Sequence, residues 1–137
     1  DGTIDCIASD HAPHHADEKA REFDRAPNGI VGLETSVGLA LDRLYHAKVV
    51  TLSRLVELLS TNPARVLGVP GGTLAEGAPG DVTVVDPEQV WEVNPRQFRS
   101  LSRNTPFAGL KLRGAPVLTV VGGRIVWESR ARGDESR

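Results

Sequence analysis

The sequence predicts an α/β fold in which a buried strand, a long polar loop and a run of helices precede an antiparallel β segment. Three observations lead there. Residues 4–9, Ile4-Asp5-Cys6-Ile7-Ala8-Ser9, form a short, nearly continuous apolar run, the texture of a strand covered on both faces in a parallel sheet. Between residues 33 and 67, apolar side chains recur at helical spacing. Beyond Gly68, glycine- and proline-rich turns separate short β-branched runs, and Gly122-Gly123 joins two of them as a two-residue hairpin does. The change of texture near residues 68–74 divides the chain into segments 1–70 and 71–128, with a charged tail, 129–137, that is expected to fray.

Each element follows from its residues in order. Asp5 is the polar exception in the first run and suits a strand entrance that solvent reaches. Residues 10–29 are polar and turn-rich, with charged helical character over residues 16–23; structureless stretches of this length are functional or disordered as a rule. A helix over residues 33–45 places Leu33, Val37, Leu41 and Leu44 on one stripe. Thr51 reads as the N-cap of a second helix with Leu52, Leu55, Val56 and Leu59 on one face. A third, short helix has Asn62 as its cap, Pro63 where no N–H is needed, and Gly68 as its stop. Turns at Gly71-Gly72 and Gly77-Ala78-Pro79-Gly80 lead to strands over 82–85 and 90–93, parted by Asp86-Pro87, and to a hairpin of 117–121 with 124–128.

Composition narrows the function. The 137 residues suit one modest domain or a piece of a larger one. With 39% hydrophobic and 25% charged residues, the chain is ordinary for a soluble globular protein. The net charge of −2, with both signs interspersed, argues against nucleic acid as a partner. No apolar run reaches the roughly 18 residues of a membrane span, so no membrane is expected either. The first residues lack the layout of a secretory signal. The one cysteine, Cys6, has no internal disulfide partner, which fits a cytoplasmic setting. There is no methionine, and the turn pair Asp1-Gly2 stands directly before a strand. These features lead us to expect a piece of a longer protein.

The chemistry concentrates in Ser9-Asp10-His11-Ala12-Pro13-His14. A carboxylate and an imidazole lie four residues apart, directly after a buried strand, where parallel α/β folds collect reactive groups. A carboxylate there can ligate a divalent metal or carry a proton. Pro13 stiffens the chain so that His14 projects at a fixed angle, and an imidazole N–H suits a carboxylate-bearing substrate. Taken alone, Asp10 fits a cap or an Asx turn more readily than a catalytic role, and without further signal neither Asp10 nor His14 is marked as catalytic. His11 and His15 read as supporting or solvent-facing residues, and His46, just after a helix, as a surface residue.

Resemblance adds to this reading. The segment from Ile4 through Asp10-His11-Ala12-Pro13-His14 resembles the last barrel strand and following loop of the bacterial dihydroorotases, within the zinc-dependent cyclic amidohydrolases. Gly29-Ile30-Val31-Gly32-Leu33-Glu34-Thr35 is similar to that family's next segment, and Thr61-Asn62-Pro63-Ala64-Arg65-Val66-Leu67-Gly68 to a hallmark of the wider amidohydrolases. The stretches from Gly72-Thr73-Leu74 to Asp86 and from Asn104-Thr105-Pro106-Phe107 to Gly123 resemble the closing β-subdomain. The implied fold is the C-terminal part of a (β/α)8 TIM-like metal-dependent hydrolase barrel, residues 1–70, with a small antiparallel β-subdomain, residues 71–128. The implied activity is reversible cyclisation of N-carbamoyl-L-aspartate to dihydroorotate in pyrimidine synthesis. Asp10 matches the aspartate that contacts zinc and acts as general base and acid. His14 matches the histidine that holds the substrate carboxylate. Asn28 and Gly29 match a dipeptide whose backbone touches the substrate ring; the family has an aromatic residue at position 28, so Asn28 departs from the pattern. One or two Zn2+ ions are implied, with most ligands outside this chain: the paired histidines of the first strand, the later histidines and the bridging lysine are absent, and Lys19, Lys48 and Lys111 stand in other contexts.

The Leu33 helix is expected to pack in the core, and Arg103-Asn104-Thr105-Pro106 to tie the β-subdomain to the barrel. The implied partners are a small-molecule substrate and a second copy of the protein or aspartate transcarbamoylase. Rival readings are a hydantoinase, dihydropyrimidinase or allantoinase activity, a non-catalytic dihydroorotase-like scaffold, and a free-standing β-domain interaction module over 69–128. His14 favours a carboxylate-bearing substrate, and keeping both Asp10 and His14 disfavours a scaffold. One carboxylate and one histidine do not make a zinc site, which takes three or four protein ligands. The 137-residue chain alone should therefore bind zinc weakly and turn over nothing; equilibrium dialysis against zinc would show a tight one-to-one site if this is wrong.

Overall fold

The computed structural model describes residues 2–129. The tail expected to fray lies outside the described residues, apart from Ser129, whose N–H donates to the Val117 carbonyl at 2.8 Å. The helices are α1 (Ala16–Lys19), α2 (Ser36–Ala40), α3 (Leu52–Val56) and α4 (Asn62–Leu67). The strands are β1 (Val82–Glu92), β2 (Lys111–Val121) and β3 (Arg124–Glu128), forming one antiparallel sheet in the order β1-β2-β3. Helix α2 continues into a π-helical turn, Leu41–His46, and α3 into another, Glu57–Thr61. Among the described residues no helix is long and apolar enough to cross a membrane.

Two adjoining apolar clusters hold these parts together. Val31, Val93, Phe98 and Leu112 form one, with Leu39, Trp91, Phe107 and Leu110 against it. Ala40, Leu41 and Leu55 form the other, with Ile7, Val37, Leu44 and Val85 packed around them. Both draw on the helical half and the sheet, so α2 lies across β2. The close approach is made at Gly114, where a Cβ would stand 2.5 Å from that of Leu41 and where φ is 104°. Trp91 closes the same spot, its indole N–H donating to the Gly114 carbonyl at 2.9 Å.

The sheet follows its pattern in part. The Gly122-Gly123 hairpin forms as expected, pairing Val121 with Arg124 and Thr119 with Trp127. The two strands expected over 82–85 and 90–93 are instead one strand, β1, whose register slips between Asp86 and Val90. Pro87 has no N–H to offer the ladder, so the chain bulges there and then resumes pairing with β2. Val93 leaves the strand and is buried at 1% exposure.

Residues 4–9 do not form the strand expected of them. They belong to no regular element; Ile7 N–H donates to the Leu58 carbonyl at 2.9 Å, and Ile4 is 67% exposed rather than covered on both faces. An apolar run becomes a strand only beside another, and among the described residues none pairs with it. The helix expected from residue 33 starts at Ser36. Leu33 lies in the preceding turn, where the Gly32 carbonyl accepts from Ser36 N–H at 2.9 Å, and it is 63% exposed. Leu41 of the expected stripe is buried, and Val37 and Leu44 are half-buried.

Thr51 caps α3 as predicted, accepting from Arg54 N–H at 3.2 Å. On that helix Leu55 is buried and Val56 is exposed, since a residue one place on is turned about 100° around the axis, and Leu58 is buried in the π-helical turn that follows. Asn62 is not a cap. The chain passes into α4 from a helical turn and leaves no free N–H groups to cap, so the buried amide of Asn62 donates to the Asp5 carbonyl at 2.9 Å instead. Gly68 ends α4 as expected. His46 is not a free surface residue: it is half-buried, with Nε2 2.6 Å from the Pro87 carbonyl oxygen.

The Gly114–Leu41 contact allows a direct test. Gly114→Ala should lower the protein's stability by about 2 kcal/mol, the scale of overpacking a closed core, as read from denaturant unfolding.

Candidate functional site

The site is built where three stretches of chain meet: the loop 10–14, the segment 27–31 and residues 100–104. Asp10 heads the first, exposed, with φ 42°. Aspartate tolerates this left-handed region better than most residues, yet holding it there carries strain of the kind that gathers at functional positions. The next residue joins the second stretch. His11 pairs with Ile30 in a parallel bridge, Ala12 N–H donating to the Ile30 carbonyl at 2.8 Å. The His11 ring lies with Nδ1 3.1 Å from Gly32 N and 3.4 Å from Leu33 N. His11 is therefore a supporting residue that holds the turn before α2. His15 caps α1, accepting from Asp17 N–H at 3.2 Å.

His14 reaches across to the second stretch, with Nε2 2.9 Å from the Asn28 carbonyl oxygen. Gly29 follows at φ 102°, and a Cβ there would meet the Ala12 methyl at 2.5 Å and stand 3.8 Å from His14 Nε2. Only glycine fits both the backbone and the space. The carbonyls of Pro27 and Gly29 accept from the Lys19 ammonium at 2.8 and 3.1 Å.

The third stretch supplies the junction. The Asn104 amide donates to the Ala12 carbonyl at 3.0 Å and to that of Gly29 at 3.2 Å, and its Oδ1 accepts from His14 N–H at 3.3 Å. Its backbone carbonyl accepts from Val31 N–H at 3.1 Å. The Ser102 hydroxyl donates to the His14 carbonyl. Thus residues 103–106 do tie the two halves, through Asn104. Pro13, His14, Lys19, Leu101 and Asn104 line an open cleft of about 770 Å³.

His14, Asn28 and Gly29 come together as a unit. Asp10 stands four residues from His14 at the head of the same loop. Among the described residues no three His, Cys, Asp or Glu side chains converge as metal ligands. A carboxylate such as that of Asp10 can take one position at a divalent metal, and among the described residues no further donors gather beside it. Lys19 and Ser102 carry no signal in the sequence: the lysine's partners are the carbonyls of Pro27 and Gly29, in the same loop, and the serine's are the carbonyl of His14, 88 residues away, and the Asn104 side chain.

Glu34 is a further tie. Burial pushes its carboxyl up, but the hydrogen bonds from the Ser100 hydroxyl and N–H, both 2.7 Å, outweigh this with help from its own N–H and from His11. The net result is a carboxyl held below its ordinary value of 4.5.

A polar loop carrying Asp10, His14 and the close-packed Gly29 contact is set against a helix-and-sheet body. Solved structures share that body. The chain superposes with a TM-score of 0.87 on the L-hydantoinase (dihydropyrimidinase) of Arthrobacter aurescens, at 38% identity over 93% of this chain and 29% of the other. A D-hydantoinase from Thermus sp. gives 0.79 at 28% identity, again over 93% and 29%. Residues 1–126 match the amidohydrolase family, and the chain belongs to it. Among curated relatives, the dihydroorotase of Pelotomaculum thermopropionicum is 53% identical over 95% of this chain, and those of Geobacter metallireducens and Bacillus cereus are 52% and 48% identical over 93% and 96%. The chain spans only 30% of the length of the first two and 31% of the third.

The Glu34–Ser100 tie predicts a pH dependence. A depressed carboxyl stabilises the fold above its ordinary value of 4.5, and that contribution disappears as pH falls through the lowered value. Ser100→Ala should destabilise the protein by about 1 kcal/mol at neutral pH and by less near pH 3, measured by denaturant unfolding at both.

Proposed function

We propose that this chain is the C-terminal part of a zinc-dependent dihydroorotase, a cytoplasmic enzyme of pyrimidine synthesis that interconverts N-carbamoyl-L-aspartate and (S)-dihydroorotate. The observation that carries the proposal is the identity of about half the residues to dihydroorotases over nearly the whole chain, together with a loop in which Asp10 precedes a His14 locked to Asn28. In this reading residues 1–70 close a (β/α)8 barrel and residues 71–128 form its β-subdomain. The substrate is a small cyclic amide, and the assembled enzyme forms a homodimer or associates with aspartate transcarbamoylase.

The chain's residues divide the work. Asp10 takes the proton of the attacking water and returns it to the ring nitrogen as the amide bond breaks. His14 holds the substrate carboxylate and fixes the direction of attack. The backbone at Asn28 and Gly29 contacts the ring, so the change to Asn28 from an aromatic residue is tolerated. Asp10 would also be a ligand to zinc, which when bound supplies Lewis-acid activation of water and charge neutralisation at the carbonyl oxygen.

A hydantoinase or dihydropyrimidinase activity is the second reading, favoured by the likeness to the L-hydantoinase structure. His14 argues against it, because hydantoin has no carboxylate for His14 to hold. Assays of the full-length protein on dihydroorotate and hydantoin separate the two: dihydroorotate should be turned over and hydantoin should not. In the same protein Asp10→Asn should lower kcat by about a thousandfold, within the range of a lost general base. A variant that keeps more than a tenth of the activity would falsify the role of Asp10. A full-length protein with no turnover on either compound would point to the scaffold reading.

A further inference from the structure

We propose that Lys19 is a positioning residue, holding the backbone of Asn28 and Gly29 in the orientation that receives the substrate. The proposal rests on the function proposed above and deepens it. Lys19 closes the short helix α1, whose start is set by the His15 cap. It is half-buried beside His14 and Asn104, along the same cleft. Its ammonium donates to two carbonyls, those of Pro27 and Gly29 at 2.8 and 3.1 Å, and among the described residues it forms no ion pair with a carboxylate. A charge-assisted hydrogen bond is about twice as strong as a neutral one, so here the lysine's charge is spent on orienting peptides.

That orientation has a consequence for the face that substrate meets. In a planar trans peptide the N–H points opposite to the C=O. With the Pro27 carbonyl on Lys19, the N–H of Asn28 is turned away from the ammonium. With the Asn28 carbonyl on His14 Nε2, the N–H of Gly29 is turned away from the imidazole. The two N–H groups belong to successive residues, and neither donates to a protein acceptor among the described residues. Asn104 shares the Gly29 carbonyl but does not bond to Pro27. Lys19 is therefore the side chain that sets the 27–28 peptide, and with it the first of the two donors. Residues 21–25 just before are exposed.

The test uses the full-length protein with Lys19→Met, which keeps the aliphatic stem, and Lys19→Arg, which keeps the charge. KM and kcat for dihydroorotate are measured with the thermal midpoint and the zinc content. For Lys19→Met, losing one charged hydrogen bond's worth of orientation should raise KM about tenfold. Its kcat should stay within about threefold of the parent, with midpoint and zinc content unchanged, because the lysine acts on binding rather than on the proton transfer at Asp10. Lys19→Arg should recover most of the lost affinity. Lys19→Met with an unchanged KM overturns the proposal. So does a joint fall of kcat, midpoint and zinc content, or loss of fold, since each marks a structural staple. Absence of dihydroorotate turnover in the unsubstituted protein is a distinct result: it removes the underlying function, and the proposal falls with it.

Discussion

The side-chain amide of Asn104 is where the body of this protein and its candidate site are joined. An amide has two donor hydrogens and one acceptor oxygen, and each is engaged across the fold, with Ala12, Gly29 and His14. The partners lie 75 to 92 residues away in sequence. The apolar cluster around Val31, Val93 and Leu112 brings residue 104 to this point, and Val31 N–H locks it there through the Asn104 carbonyl. The loop that carries Asp10 and His14 has almost no regular structure of its own. It is placed by this one junction, by the His11–Ile30 bridge and by the Ser102 hydroxyl.

The second constraint is steric. Gly114 lets α2 lie on β2, and Gly29 lets the segment 27–31 lie on Ala12. In both places a methyl group would stand 2.5 Å from a neighbouring carbon. The body and the site are thus fitted by contacts that admit no side chain at one partner. Polar links reinforce them at the periphery: Glu34 with Ser100, His46 with Pro87, and Arg113, whose N–H takes Asp42 and whose guanidinium takes Glu88. The exposed ion pairs among these contribute little to stability. Glu34–Ser100 is a partly buried tie between the turn before α2 and the chain leading to Asn104, and it counts for more.

Local chemistry was legible where the signal is local. The Thr51 cap, the Gly68 stop and the Gly122-Gly123 hairpin all depend on residues within a few positions of one another, and all formed where expected. The loop Asp10-His11-Ala12-Pro13-His14 stood out by its own residues, whereas Asn28 and Gly29 were marked only by the family resemblance. Errors arose where an element depends on a neighbour. Residues 4–9 have the composition of a strand but no strand beside them. Leu33 has helical spacing, but the turn closed by Gly32 and His11 excludes it from the helix. Asn62 has the chemistry of a cap, but the preceding turn leaves it nothing to cap.

By itself the sequence determined the α/β class, the turns, the hairpin and which loop carries the carboxylate and the imidazole, because backbone preferences and side-chain chemistry act over a few residues. Only the tertiary structure decided that Lys19 and Asn104 gather the carbonyls of Ala12, Pro27 and Gly29, and that His14 meets Asn28. A carbonyl oxygen is the same group on every residue. Nothing in a sequence marks which one a distant ammonium or amide will reach until packing has brought them together.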